Sequence, residues 1–312
     1  GGCGKTMLAE AILYNAKATD RFGQVDDGTS VMDHDPEEVK RKISINTAVA
    51  PCEFKDHKFN ILDTPGFFDF VGEVKSASRV VEAGILVVCA SSGVEVGTEK
   101  SWDFLNERSL PRLIFINKMD RENANFGKVV DALREKFGNR VIPVQLPIGE
   151  AENFKGIVDI INKKAWQDGK EVPIPAELSG EVDNYYQMLT EAVAESDEEL
   201  LDKYLENDAL SPEELLTGFR QETMKGEIVP VLCGSALKNL GITELMEAII
   251  ETLPSPDAAG TVKAEVPGKG ETVELKASRD EALSALVFKT MADPFVGKLT
   301  LFRVYSGVVK SD

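Results

Sequence analysis

An α/β domain with a mainly parallel sheet, interrupted by an inserted α+β unit and followed by the start of an all-β domain, is the fold that this sequence predicts. Three observations carry it. Short apolar runs alternate with helix-like stretches between residues 58 and 147. The rhythm stops over 148–227, where the text turns acidic, and resumes at 228–256. Residues 281–312 then read as consecutive strands. Alternating strand and helix signals indicate parallel βαβ units, whereas strands joined by turns indicate an antiparallel domain.

The elements follow in order. GGCGKT at 1–6 runs into a helix from Met7 to Tyr14. KFNILD (58–63), ILVVCA (85–90), PRLIFIN (111–117) and VIPVQLP (141–147) read as buried strands. Between them, FVGEVKSASRVVEAG (70–84), VGTEKSWDFLNERS (96–109) and NFGKVVDALREKFG (125–138) read as helices. The insert offers a little β structure in GIVDIINKKAWQ (156–167), then acidic helices, one starting at Ser211-Pro212-Glu213-Glu214 because proline suits a first turn. EIVPVLCGSA (227–236) gives another buried strand, GITELMEAIIETL (241–253) a helix with apolar residues at helical spacing, and PSP (254–256) a stop. Residues 257–280, rich in Gly, Ala, Pro and Lys, read as a linker, and the strands beyond it turn at DP (293–294) and SG (306–307). The predicted division is therefore 1–147 with 228–256, the insert 148–227, the linker 257–280 and the β segment 281–312. The opening without methionine and the break after a run of strands predict a piece of a longer protein, lacking the strand before Gly1 and most of a barrel.

Composition narrows the function. A content of 43% hydrophobic residues suits packed cores, and no apolar run approaches the roughly 20 residues that cross a bilayer. The four cysteines are scattered, with two histidines in the chain, so neither a zinc site nor a disulfide framework is indicated, and a reducing, cytoplasmic setting is expected. A net charge of −18 argues against a surface that attracts nucleic acid all over. Residues 150–227 hold 20 Asp and Glu against 7 Lys and Arg, which marks that stretch as a separate unit.

The chemistry lies in four short strings. GGCGKT matches the end of the phosphate-binding pattern G-x-x-x-x-G-K-[ST]. Backbone N–H groups of Gly1, Gly2, Cys3 and Gly4 would face phosphate oxygens, Lys5 would reach the β and γ phosphates, and the Thr6 hydroxyl would bind Mg²⁺. NKMD (117–120) follows a buried strand, where α/β sheets present ligand loops. The Asp120 carboxylate can accept from both N1–H and the 2-amino group of guanine, which adenine does not offer. Such a match is worth about 1–3 kcal/mol, by analogy with base readout in DNA. Asn117 would brace the loop and the Lys118 stem would cover the base. GSAL (234–237) ends another strand, so that Ser235 and Ala236 would turn N–H groups toward guanine O6, with Leu237 beside them. DTPG (63–66) follows FNIL; Asp63 would hold an Mg²⁺-bound water and the Gly66 N–H would contact the γ phosphate. In KRKISINTA (40–48), Ser44 and Thr47 both offer a hydroxyl to the metal, and an edge strand is an equal reading of that stretch.

These motifs, in this order, resemble the translational GTPases, and the flanking text is similar to elongation factor G. The blocks that carry the resemblance are NKMDRENANF (117–126), LPIGEAENFKGIVDI (146–160), VLCGSALKNLGI (231–242), LPSP (253–256) and DPFVGKLTLFRVYSG (293–307). It implies a P-loop GTPase domain with an inserted subdomain and the opening of a β-barrel second domain, GTP or GDP with Mg²⁺ as ligands, and hydrolysis on the ribosome in a translocation-type step. It also implies contact with ribosomal RNA and the stalk protein, and a monomer. The acidic insert is associated in that family with stalk docking; a solvated helical face explains the same charges. The family's Mg²⁺-binding threonine, in its R-G-I-T-I stretch, falls on Ser44, and the glycine of that stretch falls on Lys42, so a different bend is expected there.

The sharpest departure is DTPGFFDF (63–70), where the family usually reads D-T-P-G-H-x-D-F. Its histidine positions the attacking water; here the place belongs to Phe67, as in several elongation factor G-like paralogues. Phenylalanine cannot orient water by a hydrogen bond, and losing such a group costs about 10²- to 10⁴-fold in rate. Phe67 packing on the sheet or shielding the γ phosphate is an equal reading. The resemblance thus implies either a ribosome-stimulated GTPase or a GTP-gated regulatory factor with weak hydrolysis.

Overall fold

The computed structural model describes residues 1–266, 268–293 and 297–311. Helix α1 (Lys5–Asn15) leaves the glycine loop, and a short α2 (Pro36–Arg41) leads to an antiparallel hairpin of β1 (Ala48–Phe54) and β2 (His57–Asp63). There follow α3 (Val71–Ser78), β3 (Gly84–Cys89), α4 (Val96–Asn106), β4 (Arg112–Asn117), α5 (Phe126–Phe137) and β5 (Val141–Pro143). The insert contains β6 (Gln145–Ile148), β7 (Gly156–Asp159), β8 (Lys164–Gln167) and β9 (Lys170–Val172), then α6 (Ser179–Ala194), α7 (Glu198–Asn207) and α8 (Pro212–Lys225). The chain returns through β10 (Val229–Cys233) and α9 (Ile242–Thr252) and ends in two hairpins, β11 (Val262–Val266) with β12 (Glu271–Leu275), and β13 (Ser284–Asp293) with β14 (Gly297–Ser306).

The parallel sheet has the order β3-β4-β10-β5. RLIFIN and VPVLC are buried along their whole length, as strands covered on both faces must be. Helices α4 and α5 bring Trp102, Leu105, Val130 and Leu133 to one core, and α1 and α9 bring Leu8, Ile12, Leu245 and Met246 to the other. Covering both faces leaves the carboxyl ends of the strands as the place where polar loops converge. The insert is α+β, with sheet order β6-β7-β8-β9, and α8 starts on a capping box in which Ser211 and Glu214 hold each other's backbone N–H.

The structure departs from the sequence reading in four places. The strand expected over 141–147 is two strands in two sheets, so the second sheet begins at Gln145 rather than after 147; the Val144 N–H donates to Val231 O while its carbonyl accepts from Ile160, which hands the chain across. The linker at 257–280 contains the β11–β12 hairpin, whose mostly exposed strands lack the apolar run that betrays a buried one. The helix expected over 70–84 stops at Ser78, where the carbonyls of Arg79 and Val80 accept from Tyr305 and Arg303 of β14. Residues 40–47 form the end of α2 and a loop, and β1 starts only at Ala48. The turn expected at 293–294 lies outside the described residues.

Among the described residues no strand bridges β2 and β3. A cavity of about 1270 Å³ runs between them, lined by Phe59, Ile61, Ile85, Val87 and, from α1, Leu8 and Ile12. Its walls between the strands are apolar, and at one end it reaches Lys5, Asp63 and Gly66.

Candidate nucleotide-binding site

A second cavity, of about 260 Å³, lies where the strand ends converge. Lys5, Ser44 and Phe67 line one end and Asp120 and Leu237 the other, so it spans the predicted phosphate and base motifs. The smaller cavity is the functional candidate because it joins these motifs; the larger one touches Lys5, Asp63 and Gly66 but not Asn117, Lys118 or Asp120.

The glycine loop is shaped by its neighbours. Gly4 precedes α1 in a left-handed conformation, φ 88°, and a Cβ on it would stand 2.6 Å from Asn117 Nδ2, so both the backbone angle and the close approach require glycine. Asn117, 1% exposed, donates from Nδ2 to Cys3 O at 2.9 Å and accepts the Ala236 N–H on Oδ1 at 2.9 Å. One amide thereby ties three loops. Lys118, itself at φ 66°, donates from Nζ to Gly2 O at 2.5 Å, which lays its stem along the cavity. Asp120 Oδ1 is buried without a hydrogen-bond partner, a cost that a donor pair such as guanine N1–H and 2-amino would remove. The Ser235 N–H donates to Leu240 O at 3.0 Å and the Ala236 N–H to Asn117, so a guanine O6 would have to share the Ala236 donor. Leu237 is half exposed at the rim.

At the other end, Thr6 Oγ1 and Ser44 Oγ lie 2.9 Å apart. Thr47, the other hydroxyl of that stretch, points away: its N–H donates to Glu73 Oε2 at 2.7 Å and its hydroxyl to the Glu73 carbonyl at 3.4 Å. Glu38 sets this choice. Its buried carboxylate takes the N–H groups of Ile45 and Asn46 at 2.9 and 2.8 Å, which leaves Ser44 at the apex of the turn. Lys42, in the place of the family's glycine, adopts φ 56° and ψ 38°, a left-handed conformation that a lysine side chain favours poorly.

Asp63 ends β2 with Oδ2 buried and unpartnered. Burial pushes its carboxyl up to about 6, against the pull of the Thr6 hydroxyl and the Lys5 ammonium. Asp33 is a site residue that the sequence does not make legible. It is buried beside Ser44, its Oδ2 also lacks a partner, and burial raises its carboxyl against the Ser44 hydroxyl. Glu10 of α1 delivers it, accepting the N–H groups of Val31 and Met32 and the Ser30 hydroxyl on Oε1. Two orphaned carboxylate oxygens beside two hydroxyls form a hard oxygen donor set, and a divalent cation such as Mg²⁺ fits it. Among the described residues no three His, Cys, Asp or Glu side chains could hold a metal together, so phosphate oxygens would complete the shell. Gly66 sits against Lys5: a Cβ there would stand 2.5 Å from Lys5 Nζ. Phe67, 46% exposed, edges the cavity and offers no polar atom.

Residues 2–255 match the Elongation factor Tu GTP binding domain family. The chain belongs to that family. It is a translational GTPase domain, and the guanine-nucleotide binding that the family implies agrees with the phosphate and base ends of the cavity. A crystal structure of a Thermus thermophilus protein is 33% identical, with a TM-score of 0.86, over 98% of this chain and 44% of that one. The GTPase domain and its following strands thus span under half the length of that relative. Among the described residues no helix is long and apolar enough to cross a membrane.

Proposed function

We propose that this chain is the nucleotide-binding part of an elongation factor G-type protein that hydrolyses GTP on the ribosome in a translocation-type step. The meeting of Thr6, Ser44 and Asp63 is the observation that supports this reading most. It brings the phosphate loop and both segments that would sense the γ phosphate to one point. Asp120 would select guanine, with Asn117 bracing the loop and Lys118 covering the base. Lys5 and the loop N–H groups of residues 1–4 would hold the phosphates. Thr6, Ser44 and Asp63, with Asp33 behind them, would hold Mg²⁺, which when bound neutralises phosphate charge. Gly66 would turn its N–H to the γ phosphate, and loss of that phosphate would release Gly66 and Ser44 together. The acidic insert would meet the ribosomal stalk protein, and the protein would act in the cytoplasm as a monomer with ribosomal RNA among its contacts.

One observation favours a second reading. Phe67 presents a ring where a proton acceptor would orient water, which suits a GTP-gated factor that occupies ribosomes with little turnover. Single-turnover GTP hydrolysis by the full-length protein with purified ribosomes separates the two. Stimulation over the ribosome-free rate supports the first reading; no stimulation overturns it and leaves the second.

A further inference from the structure

We infer that Lys289 of β13 is a positioning residue for the GTP-bound arrangement, acting through Glu73 on both segments that sense the γ phosphate. The inference rests on the GTPase reading above. Lys289 is an unusual lysine: its side chain is 6% exposed, yet it carries a charge that buried positions rarely tolerate unpaired. Its Nζ lies 2.8 Å from Glu73 Oε2 and 3.4 Å from Asn46 Oδ1. The same Glu73 oxygen accepts the Thr47 N–H at 2.7 Å. One carboxylate oxygen therefore joins three pieces of chain: the loop that carries Ser44, the first turn of α3 directly after DTPGFFDF, and the β-hairpin beyond the GTPase domain.

The hairpin also holds the far end of α3. Tyr305 donates its hydroxyl to Arg79 O at 2.6 Å, and Arg303 donates to Val80 O at 2.7 Å while pairing with Glu82. These bonds satisfy carbonyls at the end of a helix, where no donor within the helix can reach them. Helix α3 is thus fixed at its start by a partly buried ion pair and at its end by two hydrogen bonds, all from one hairpin. A shift of α3 or of the Ser44 loop would strand Lys289 away from its carboxylate. Ser44 stands against Thr6 in this same arrangement, so the Lys289 contact and the metal-binding arrangement reinforce each other, and what stabilises one must stabilise the other.

The test compares full-length wild type with Lys289→Met, which keeps the length and removes the charge, and with Lys289→Arg. Affinities for a non-hydrolysable GTP analogue and for GDP are measured with Mg²⁺ and without ribosomes, so the outcome does not depend on whether hydrolysis is stimulated. Lys289→Met is expected to weaken analogue binding by about fivefold or more while GDP affinity is unchanged, the lower end of usual coupling between sites. Lys289→Arg is expected to restore the wild-type ratio. Equal loss for both nucleotides, or no loss for either, overturns the inference. Tyr305→Phe, a substitution at a half-buried position that removes one oxygen, serves if Lys289→Met does not fold; an unchanged affinity ratio in it then overturns the inference as well. Failure of wild type to bind guanine nucleotides overturns the GTPase reading instead.

Discussion

Thr6 and Ser44 bring their hydroxyls within 2.9 Å of each other across 38 residues of sequence. That contact separates two candidates that spacing leaves equal. Ser44 stands beside Thr6, where the proposed metal would bind, and Thr47 is tied to Glu73 instead. Ser44→Ala is therefore expected to raise the Mg²⁺ concentration needed for half-maximal binding of a GTP analogue by about tenfold or more, in line with the loss of other groups around bound metals. Thr47→Ala, which leaves the backbone N–H in place, should not shift it. Titration of a fluorescent analogue with Mg²⁺ reads both, and the reverse order of effects would put the metal on the wrong hydroxyl.

At the base end, the unpartnered Asp120 oxygen makes a specific demand. Asp120→Asn replaces an acceptor pair by one acceptor and one donor, which matches xanthine, with N1–H beside a 2-oxo group, rather than guanine. The variant is expected to lose about 1–3 kcal/mol of GDP binding and to gain preference for XDP. Competition between the two nucleotides against a fluorescent GDP measures the exchange, and unchanged preference would show that the carboxylate does not face the base.

Lys42 carries a strain that the fold could lose. An L-residue held in the left-handed region costs about 1–2 kcal/mol, and glycine gives back about 0.4–1 kcal/mol of the relief through its freer unfolded chain. Lys42→Gly should then stabilise by about 0.5–1 kcal/mol, the difference of those two effects. Thermal unfolding without nucleotide checks the sign; a lower midpoint would mean that the Lys42 side chain contributes more than its backbone costs.

What the sequence made legible, and what it hid, follows from how each feature is encoded. The phosphate loop, DTPG and NKMD are contiguous strings, and their chemistry can be read letter by letter. The buried strands announce themselves as apolar runs because both faces of the sheet are covered. Asp33 is different: it reaches the site through Glu10, which grips residues 30–32, and nothing in its neighbours in sequence points to a ligand. The Lys289–Glu73 pair joins residues 216 apart, beyond any local pattern. The β11–β12 hairpin reads as linker because its strands are largely exposed, and the crossing at Val144 reads as one strand because both sheets bury what they receive.

Glu73 also sets a pH dependence. Burial raises its carboxyl, but the hydrogen bonds from Lys289 and from Thr47 outweigh burial, so its folded value lies below the ordinary 4.5. A depressed carboxylate contributes stability that is fully present above the unfolded value and is lost as pH falls through the folded one. The grip of the hairpin on α3 should hold at neutral pH and weaken below about 4.5, down through that depressed value. Glu73→Gln should flatten this part of the acid-unfolding curve relative to wild type. Curves that stay parallel over that range would show that the pair does not contribute.

Phe67 bears on rate alone. It is extended, with φ −87° and ψ 139°, and 46% exposed, and its carbonyl closes the turn to Phe70 at 3.1 Å. The backbone thus makes the turn and the side chain carries little of the core, so Phe67→His should fold and bind GDP as wild type does. If water positioning is the missing function, the imidazole should raise ribosome-stimulated, single-turnover hydrolysis by about 10²- to 10⁴-fold, the usual worth of a proton-transferring or water-orienting group. The rise should follow the fraction of neutral imidazole, growing as pH climbs through the ordinary histidine range. An unchanged rate would place the attacking water out of reach of residue 67. The ring would then be a shield over the γ phosphate, and turnover would depend on a group that the ribosome brings.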